Sequence, residues 1–330
     1  MKRWMKTLSL CLVSVLMISG IAQAAPVTIK LAHGGSTEHQ YHIGAEAFKR
    51  LVEERSNKEI VVNIFPQGQL GSERDAIEGV RMGTVQMAAV AAAGPLPSFV
   101  PEMGVLGVPY ILQTRKQAYA VLDGAFGDEL NMLISQKRMI NLAFWEVGFR
   151  HFTTANKAVK TPADLKALKI RVQESKVWME FIKTLGGVPT PISFGELYSA
   201  MQQGVVDGQE NPIATIYSMR YYEVQKNLTL DGHTYEACAA LMNPKFFNGL
   251  SDKHKEIVKK AALDARDEQR AKLEQLEAER MDIIRKAGVT VEENPDLAAF
   301  AEATKDFYKT MDTVPADLVQ KFKDAAAAAK

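Results

Sequence analysis

Apolar and polar positions follow two rhythms along this chain, and the rhythm switches at turn residues. Residues 27–32 alternate as a strand. Residues 38–55 then change to helical spacing, with Ile43, Ala47, Phe48 and Leu51 on one face. A second strand, 60–65, stops at Pro66. Ser72 with Asp75 three positions on is a capping box that opens a helix, and Gly83 is placed to end it. Residues 85–91 read as a buried strand, after which Gly94-Pro95-Leu96-Pro97 breaks into a loop. Residues 139–147 and 168–173 are further strands. Thr161-Pro162-Ala163-Asp164 has the features of a helix start: a capping Thr, a Pro at the first helical position and an acid at the positive dipole end. Residues 175–185 suit a helix closed by Gly186-Gly187, and Ser193-Phe194-Gly195-Glu196 opens another that Gly204 ends. Residues 251–287 form one long charged helical stretch of roughly 55 Å, its charges read as a solvated face. Strand and helix alternate throughout, which is an α/β pattern. Segments 66–87 and 191–207 share the order Pro, capped helix, Gly, Val-containing run, which suggests two comparable lobes.

Composition adds a boundary and several exclusions. With 330 residues, 47% hydrophobic and 24% charged, the chain has the make-up of an ordinary folded protein of about two domains. Its first two dozen residues differ. Lys2, Arg3 and Lys6 precede an apolar run over 8–21, and Ala22-Gln23-Ala24 supplies small residues at cleavage spacing. Residues 1–24 are therefore expected to be a secretory signal peptide, too short in its apolar core to span a bilayer. Cys11 lies inside that core behind a bulky Leu10, which argues for soluble export without a lipid anchor. Loss of the leader turns a formal charge of +1 slightly acidic, so neither nucleic acid nor an anionic membrane is an expected partner. Cys238 remains alone in the apolar stretch 237–242 and reads as a buried structural thiol. There is no P-loop, Gly-x-Gly-x-x-Gly, Gly-x-Ser-x-Gly, Cys-x-x-Cys or His-Glu-x-x-His. His39 and His42, with His33 nearby, lack the acids or cysteines that would complete a metal shell, and a helix-entry role is the better reading. No metal and no cofactor is expected.

Two arginines stand out. Arg171 lies between Ile170 and Val172 in a strand, so its side chain points away from both, either to solvent or into a cleft. Arg150 follows an aromatic strand end and Gly148, a residue that permits close approach or a hinge. A guanidinium can grip a carboxylate or sulfonate through two parallel hydrogen bonds. It can equally form a structural ion pair, for Arg150 with Glu146 or Glu174.

The segment 202–212, Gln-Gln-Gly-Val-Val-Asp-Gly-Gln-Glu-Asn-Pro, closely resembles a signature of the solute-binding proteins of tripartite ATP-independent periplasmic (TRAP) transporters, the DctP family. Further matches follow in order along the chain: Leu31-Ala32-His33, 65–71, the loop to Pro109-Tyr110, Gly148-Phe149-Arg150, 169–172 and 222–226. The resemblance implies an α/β fold of two lobes around a cleft, with crossing strands and a long lobe-spanning helix, for which 251–287 is the candidate. It implies lobe I over 25–147 plus 236–275 and lobe II over 148–235 plus 276–330. It further implies a periplasmic binding protein, not an enzyme, that captures a small organic anion and hands it to the small and large TRAP membrane permease subunits. Arg171 matches the family arginine that holds the ligand carboxylate, Asn211 its hydrogen-bonding companion, and Arg150 a supporting cation. Phe194 corresponds to the ring that packs on the ligand. Glu73 and His33, and more remotely Tyr235, fall where other members place polar contacts. Trp145 and the turn 91–94 are expected at the far end of the pocket. An ionised Glu73 there favours a hydroxylated monoacid over a dicarboxylate. A sensor subunit and a secreted enzyme on a similar scaffold are the alternatives; the chain shows no nucleophile–base pair that would favour the enzyme.

Overall fold

A computed structural model describes residues 25–329, so the expected signal peptide lies outside the described residues. Ten strands form one sheet: β1 Val27–His33, β2 Ile60–Phe65, β3 Met87–Ala91, β4 Ile140–Thr154, β5 Lys169–Val172, β6 Val188–Pro191, β7 Gly208–Pro212, β8 Asn227–Thr229, β9 Tyr235–Met242 and β10 Thr290–Glu292. The order is β2-β1-β3-β9-β4-β7-β5-β6, with β8 on β4 and β10 on β8. Parallel pairs flank each end, while β9 and β4 run antiparallel to their neighbours.

Strand β4 joins the two lobes. Its first part pairs with β9 as far as Phe149, and from Arg150 it pairs with β7. The change follows a register shift between Glu146 and Gly148, and Gly148 sits at φ +122°, a conformation that favours glycine. The strand expected to end at 147 therefore continues to Thr154, because the glycine redirects it without breaking it.

Both faces of the first lobe's sheet are covered, and strict alternation divides its central strands between two cores. In β9, Tyr235, Ala237, Ala239 and Leu241 enter one core, while Cys238, Ala240 and Met242 enter the other. Cys238 is the buried thiol expected. The second core holds the helix Gln40–Arg55 and the first half of the long helix Asp252–Lys286, through Val258, Ala261, Ala262 and Ala265. The far end of that helix contributes Met281 and Ile284 to a third core with Leu197, Ile213 and Ile216. The long helix thus spans both lobes, capped by Ser251.

Local signals were honoured unevenly. Ser72 and Asp75 form the full capping box, and Gly83 ends the helix at φ +85°. Thr161 and Asp164 form the same box, yet the helix stops after the short 3-10 turn Pro162–Leu165. Leu165 is pinned in the core there and Ala167 turns to φ +64°, so the chain enters β5 instead. Ser193 gives its hydroxyl proton to Glu196 (2.9 Å) and does not cap, leaving a short turn before the helix Leu197–Gln202. The last helix, Ala316–Ala328, departs from the expected grouping of 276–330 with the second lobe. It packs on Arg115–Leu122 and Ala125–Ser135, with Phe322 stacked on Phe126 at 5.2 Å and Ala326 O accepting from Gln117 (2.6 Å).

Gly44 faces Trp145 inside the second core, and a Cβ there would lie 2.6 Å from the indole. A helix-interior Gly→Ala change ordinarily stabilises by roughly 0.5–1 kcal/mol. Here overpacking, at about 1–3 kcal/mol, reverses the sign. Gly44→Ala is expected to lower the urea midpoint, and a raised midpoint would show that the Trp145 ring yields.

Candidate functional site

Between the lobes lies a cavity of about 260 Å³, just under the roughly 300–1,000 Å³ usual for small-molecule sites. The second lobe supplies Arg150, Arg171, Gln173, Phe194, Asn211 and Thr215 to its wall, and the first supplies Gly34, His39, Tyr41 and Glu73. Arg171, Asn211, Arg150, Glu73 and Phe194 are thus brought together.

Arg171 points away from Ile170 and Val172, whose side chains are in the core, and so into the cleft. It is 1% exposed. Its Nε donates to Ile192 O (2.9 Å), while Nη1 has no partner and no carboxylate lies within ion-pair distance among the described residues. Burial disfavours the charged form and pulls its pKa down, with only distant acids and Tyr221 opposing.

Arg150 is the opposite case. It binds the Glu210 carboxylate through Nε and Nη2, reaches Asn211 Oδ1 (3.2 Å), and has Glu236 at 3.6 Å and the Trp178 ring at 5.0 Å. Burial alone would lower its pKa, but Glu210 and Glu236 outweigh it and the net shift is upward. Its partner is therefore Glu210, neither Glu146 nor Glu174; Glu146 pairs with Arg115. Behind Glu210, His233 bridges to Asp231 (2.7 Å). Although desolvation acts against its charge, these two acids push its pKa up to about 9. Arg150 thus belongs to a charge-compensated network that holds Asn211 in place, although its Nη1 faces Glu236 at 3.6 Å without a hydrogen bond; what sets Arg171 apart is the lack of any acid at ion-pair distance among the described residues.

Glu73 begins the capped helix Glu73–Met82, and its Oε2 accepts from Ala91 N (2.9 Å). Enclosure raises its pKa to about 7, against the pull of that N–H, Arg171, Arg150 and Tyr41. The last residue of β3 therefore positions Glu73 from behind. Phe194 lies edge-on to His39 with ring centroids 5.5 Å apart. Gly34 faces the same ring, and a Cβ there would come within 3.3 Å of Phe194 Cδ1, so glycine lets the lobes approach.

Three expected residues are elsewhere. His33 is buried outside the cavity lining, its Nε2 3.1 Å from His42 Nδ1, and burial drives its pKa to about 3. Trp145 points to the other sheet face and donates to Ala262 O (3.2 Å). Tyr235 packs in the first core against Glu146. His39, Tyr41, Gln173 and Thr215 were not singled out as ligand contacts. His39 does take the helix-entry role, accepting from Tyr41 N (3.2 Å), but from a buried position on the cavity wall. No group of three or more potential metal ligands occurs among the described residues.

The model of the family described as DctP, bacterial extracellular solute-binding protein family 7, matches residues 31–313. The chain belongs to this family. A solute-binding protein of Verminephrobacter eiseniae is 37% identical over 280 residues, covering 85% of this chain and 83% of the relative. Two solved family structures superpose closely. One is a TRAP periplasmic solute-binding protein of Polaromonas sp. JS666 bound to D-erythronate, with TM-score 0.87, 34% identity, and coverage of 90% of this chain and 98% of that one. The other is the sugar acid binding protein of Advenella mimigardefordensis in complex with galactonate, with TM-score 0.89, 30% identity, and coverage of 92% and 99%. The two-lobed fold and the lobe-spanning helix are those of family 7 proteins.

The two arginines are expected to differ in a stability measurement. Arg150→Ala leaves Glu236 without a cation and Glu210 with His233 alone, and breaking a buried pair of this kind costs about 3–5 kcal/mol. Arg171→Met removes a buried charge that has no acid partner, and the ligand-free protein should unfold at the same or a higher urea concentration. Equal losses in both variants would refute the distinction.

Proposed function

We propose that this family 7 protein is the periplasmic subunit of a TRAP transporter and captures a small hydroxylated monocarboxylic acid, with Arg171 as the carboxylate anchor. The observation that carries the reading is Arg171 itself, a buried guanidinium that faces the cavity with Nη1 unpartnered. A ligand carboxylate supplies the missing counter-charge and satisfies both lobes at once, which rewards closure. Asn211 is the second carboxylate contact. Its Oδ1 accepts from Arg150 and its Nδ2 donates to Gln209, so one N–H remains for the ligand. Phe194 supplies an apolar face.

The rest of the cavity argues for a single carboxylate. Arg150 is engaged by Glu210 and Glu236, and burial keeps His39 neutral, so no second cation without an acid partner lines the wall among the described residues. Glu73 would repel a second anionic group when ionised, and protonated it can donate to a hydroxyl or carbonyl. D-erythronate and galactonate, held by the two structural relatives, are hydroxylated monoacids. Delivery to membrane permease subunits and a periplasmic location follow from family membership, and the leader at 1–24 is the export signal in this reading.

A thermal-melt panel of aldonates, hydroxy acids, dicarboxylates and sulfonates tests the class. A ligand at ~1,000 times its Kd adds about 4 kcal/mol, and the expected shift is confined to hydroxylated monoacids. Arg171→Met should then weaken the best ligand by about 2–5 kcal/mol, roughly 30- to several-thousand-fold. A loss of tenfold or less removes Arg171 as the anchor.

The pH dependence has a definite sign. A bound carboxylate adds negative charge near Glu73 and neutralises Arg171, and both raise the Glu73 pKa further. Binding therefore takes up a proton above pH 7, so affinity should fall as pH rises beyond about 7, by at most about tenfold per unit, and level off below it. Calorimetry at pH 6 and 8.5 should show the decline in the unmodified protein and a flatter profile in Glu73→Gln. An unchanged slope in the variant would assign the titration to another group, such as Glu236, whose pKa burial also raises to about 7.

A further inference from the structure

Thr215 lies in the short helix Ile213–Ser218 that follows β7; it is fully buried and lines the cavity. Its Oγ1 accepts a 2.6 Å hydrogen bond from Gln40 Nε2. The same nitrogen donates to Val147 O (3.2 Å). A carbonyl can only accept, so the Gln40 amide is oriented with its NH2 toward both oxygens. The other neighbour of the hydroxyl is His39. Its Nδ1 accepts from Tyr41 N, which places the single proton of the neutral ring on Nε2, 3.4 Å from Thr215 Oγ1. Burial keeps this imidazole neutral, and His33, Arg280 and His42 around it act in the same direction. Both protein neighbours of the Thr215 hydroxyl are therefore donors. A helical threonine often gives its proton to the carbonyl four residues back, but here no carbonyl or carboxylate among the described residues is within hydrogen-bond reach of Oγ1. The proton has only the cavity to serve.

We propose that Thr215 is a specificity-determining donor of the binding site, committed by Gln40 and His39 to give its hydroxyl proton to an acceptor oxygen of the ligand. The inference rests on the acid-capture reading and sharpens it. Arg171 Nη1, the remaining N–H of Asn211 and the Thr215 hydroxyl make the second-lobe wall a set of donors. Such a wall accepts a carboxylate together with a hydroxyl or oxo group on the next carbon. It disfavours an ammonium there, whose protons would meet donors with no acceptor. The ligand class is thus a 2-hydroxy or 2-oxo acid, with 2-amino acids rejected.

The test uses D-erythronate, galactonate, their 2-deoxy analogues and the corresponding 2-amino acids as calorimetric probes, with the variants Thr215→Val and Thr215→Ser. The unmodified protein should bind a 2-hydroxy acid and reject its 2-amino counterpart. Thr215→Val should lose about ten- to a hundredfold in affinity, while Thr215→Ser stays within about threefold and both keep the ligand-free melting temperature. A loss confined to the 2-hydroxy acids assigns the contact to the C2 oxygen, and an equal loss for the 2-deoxy analogues assigns it to the carboxylate; either supports the donor. Should Thr215→Val melt too low to assay, Thr215→Ala carries the same expectation, with Thr215→Ser as the rescue. A Thr215→Val affinity within twofold of the unmodified protein overturns the inference, and a large Arg171→Met loss in the same assay leaves acid capture standing. A protein that binds no member of either acid series removes both.

Discussion

A guanidinium taken out of water without a carboxylate beside it is the constraint around which this cavity is arranged. Isolated burial of an ion costs several kcal/mol even after relaxation, and proteins ordinarily avoid it by pairing. Arg150, close by, shows the ordinary solution, enclosed by Glu210 and Glu236 with His233 and Asp231 behind. Arg171 is left with a backbone carbonyl and a cavity. The two buried arginines differ in what surrounds them: one charge is compensated within the fold, and the other has no acid at ion-pair distance among the described residues, which is the basis of the anchor role proposed for it. Glu73 does not close the gap, because it is not within ion-pair distance and its own enclosure favours the neutral form.

The mechanical frame follows from strand β4. One continuous strand serves both lobes, and the redirection at Gly148 lets it leave β9 and meet β7 without ending. Gln269 of the long helix fills the place that the irregular ladder leaves there, accepting from Glu146 N (3.0 Å) and donating to Glu146 O (2.7 Å). The same amide reaches Gln40 O, and Arg280 donates to Glu38 O (3.1 Å). The long helix therefore holds both the joint in β4 and the start of the helix Gln40–Arg55, where His39 is the cap. Across the cleft, Ser36 donates to Ser218 O (2.9 Å) and Trp178 to Ala93 O (2.9 Å). Gln40 to Thr215 and Ser98 to Glu174 O add further polar contacts, and each such bond adds only modestly to stability.

Features whose chemistry is local were legible in the sequence. The Ser72–Asp75 box, Gly83 and Gly186 act through neighbours within a few positions, and each does what its residue type dictates. The Thr161–Asp164 box shows the limit: capping opens a turn but cannot extend it when the next residues are claimed by a strand. Strand parity put Arg171 opposite Ile170 and Val172, but which of solvent or cleft it met depended on β6, β7 and the opposite lobe. Asn211 and Phe194 were reachable through the resemblance, and His33 shows how that can mislead. Its backbone lies beside the cavity residue Gly34, yet its ring turns to His42. Thr215 was beyond reach because its role is set by Gln40, 175 positions away in sequence.

The division of labour between the lobes explains why family membership is easier to read than the ligand. The second lobe presents Arg171, Asn211 and Thr215 from β5, β7 and the helix after it, all on regular elements whose hydrogen bonds fix them. In the proposed reading, that wall meets what the ligands of such a site share, an acid group and the oxygen beside it. The first lobe presents Glu73 at a helix start, His39 at a helix cap and Gly34 in a turn, and each depends on a loop conformation. On the acid-capture reading proposed above, selectivity among acids is shared between Thr215 and the first-lobe residues Glu73, Tyr41 and His39. On that reading Arg171 supplies the contact common to all carboxylate ligands, and the residues around it decide which of them the cleft accepts.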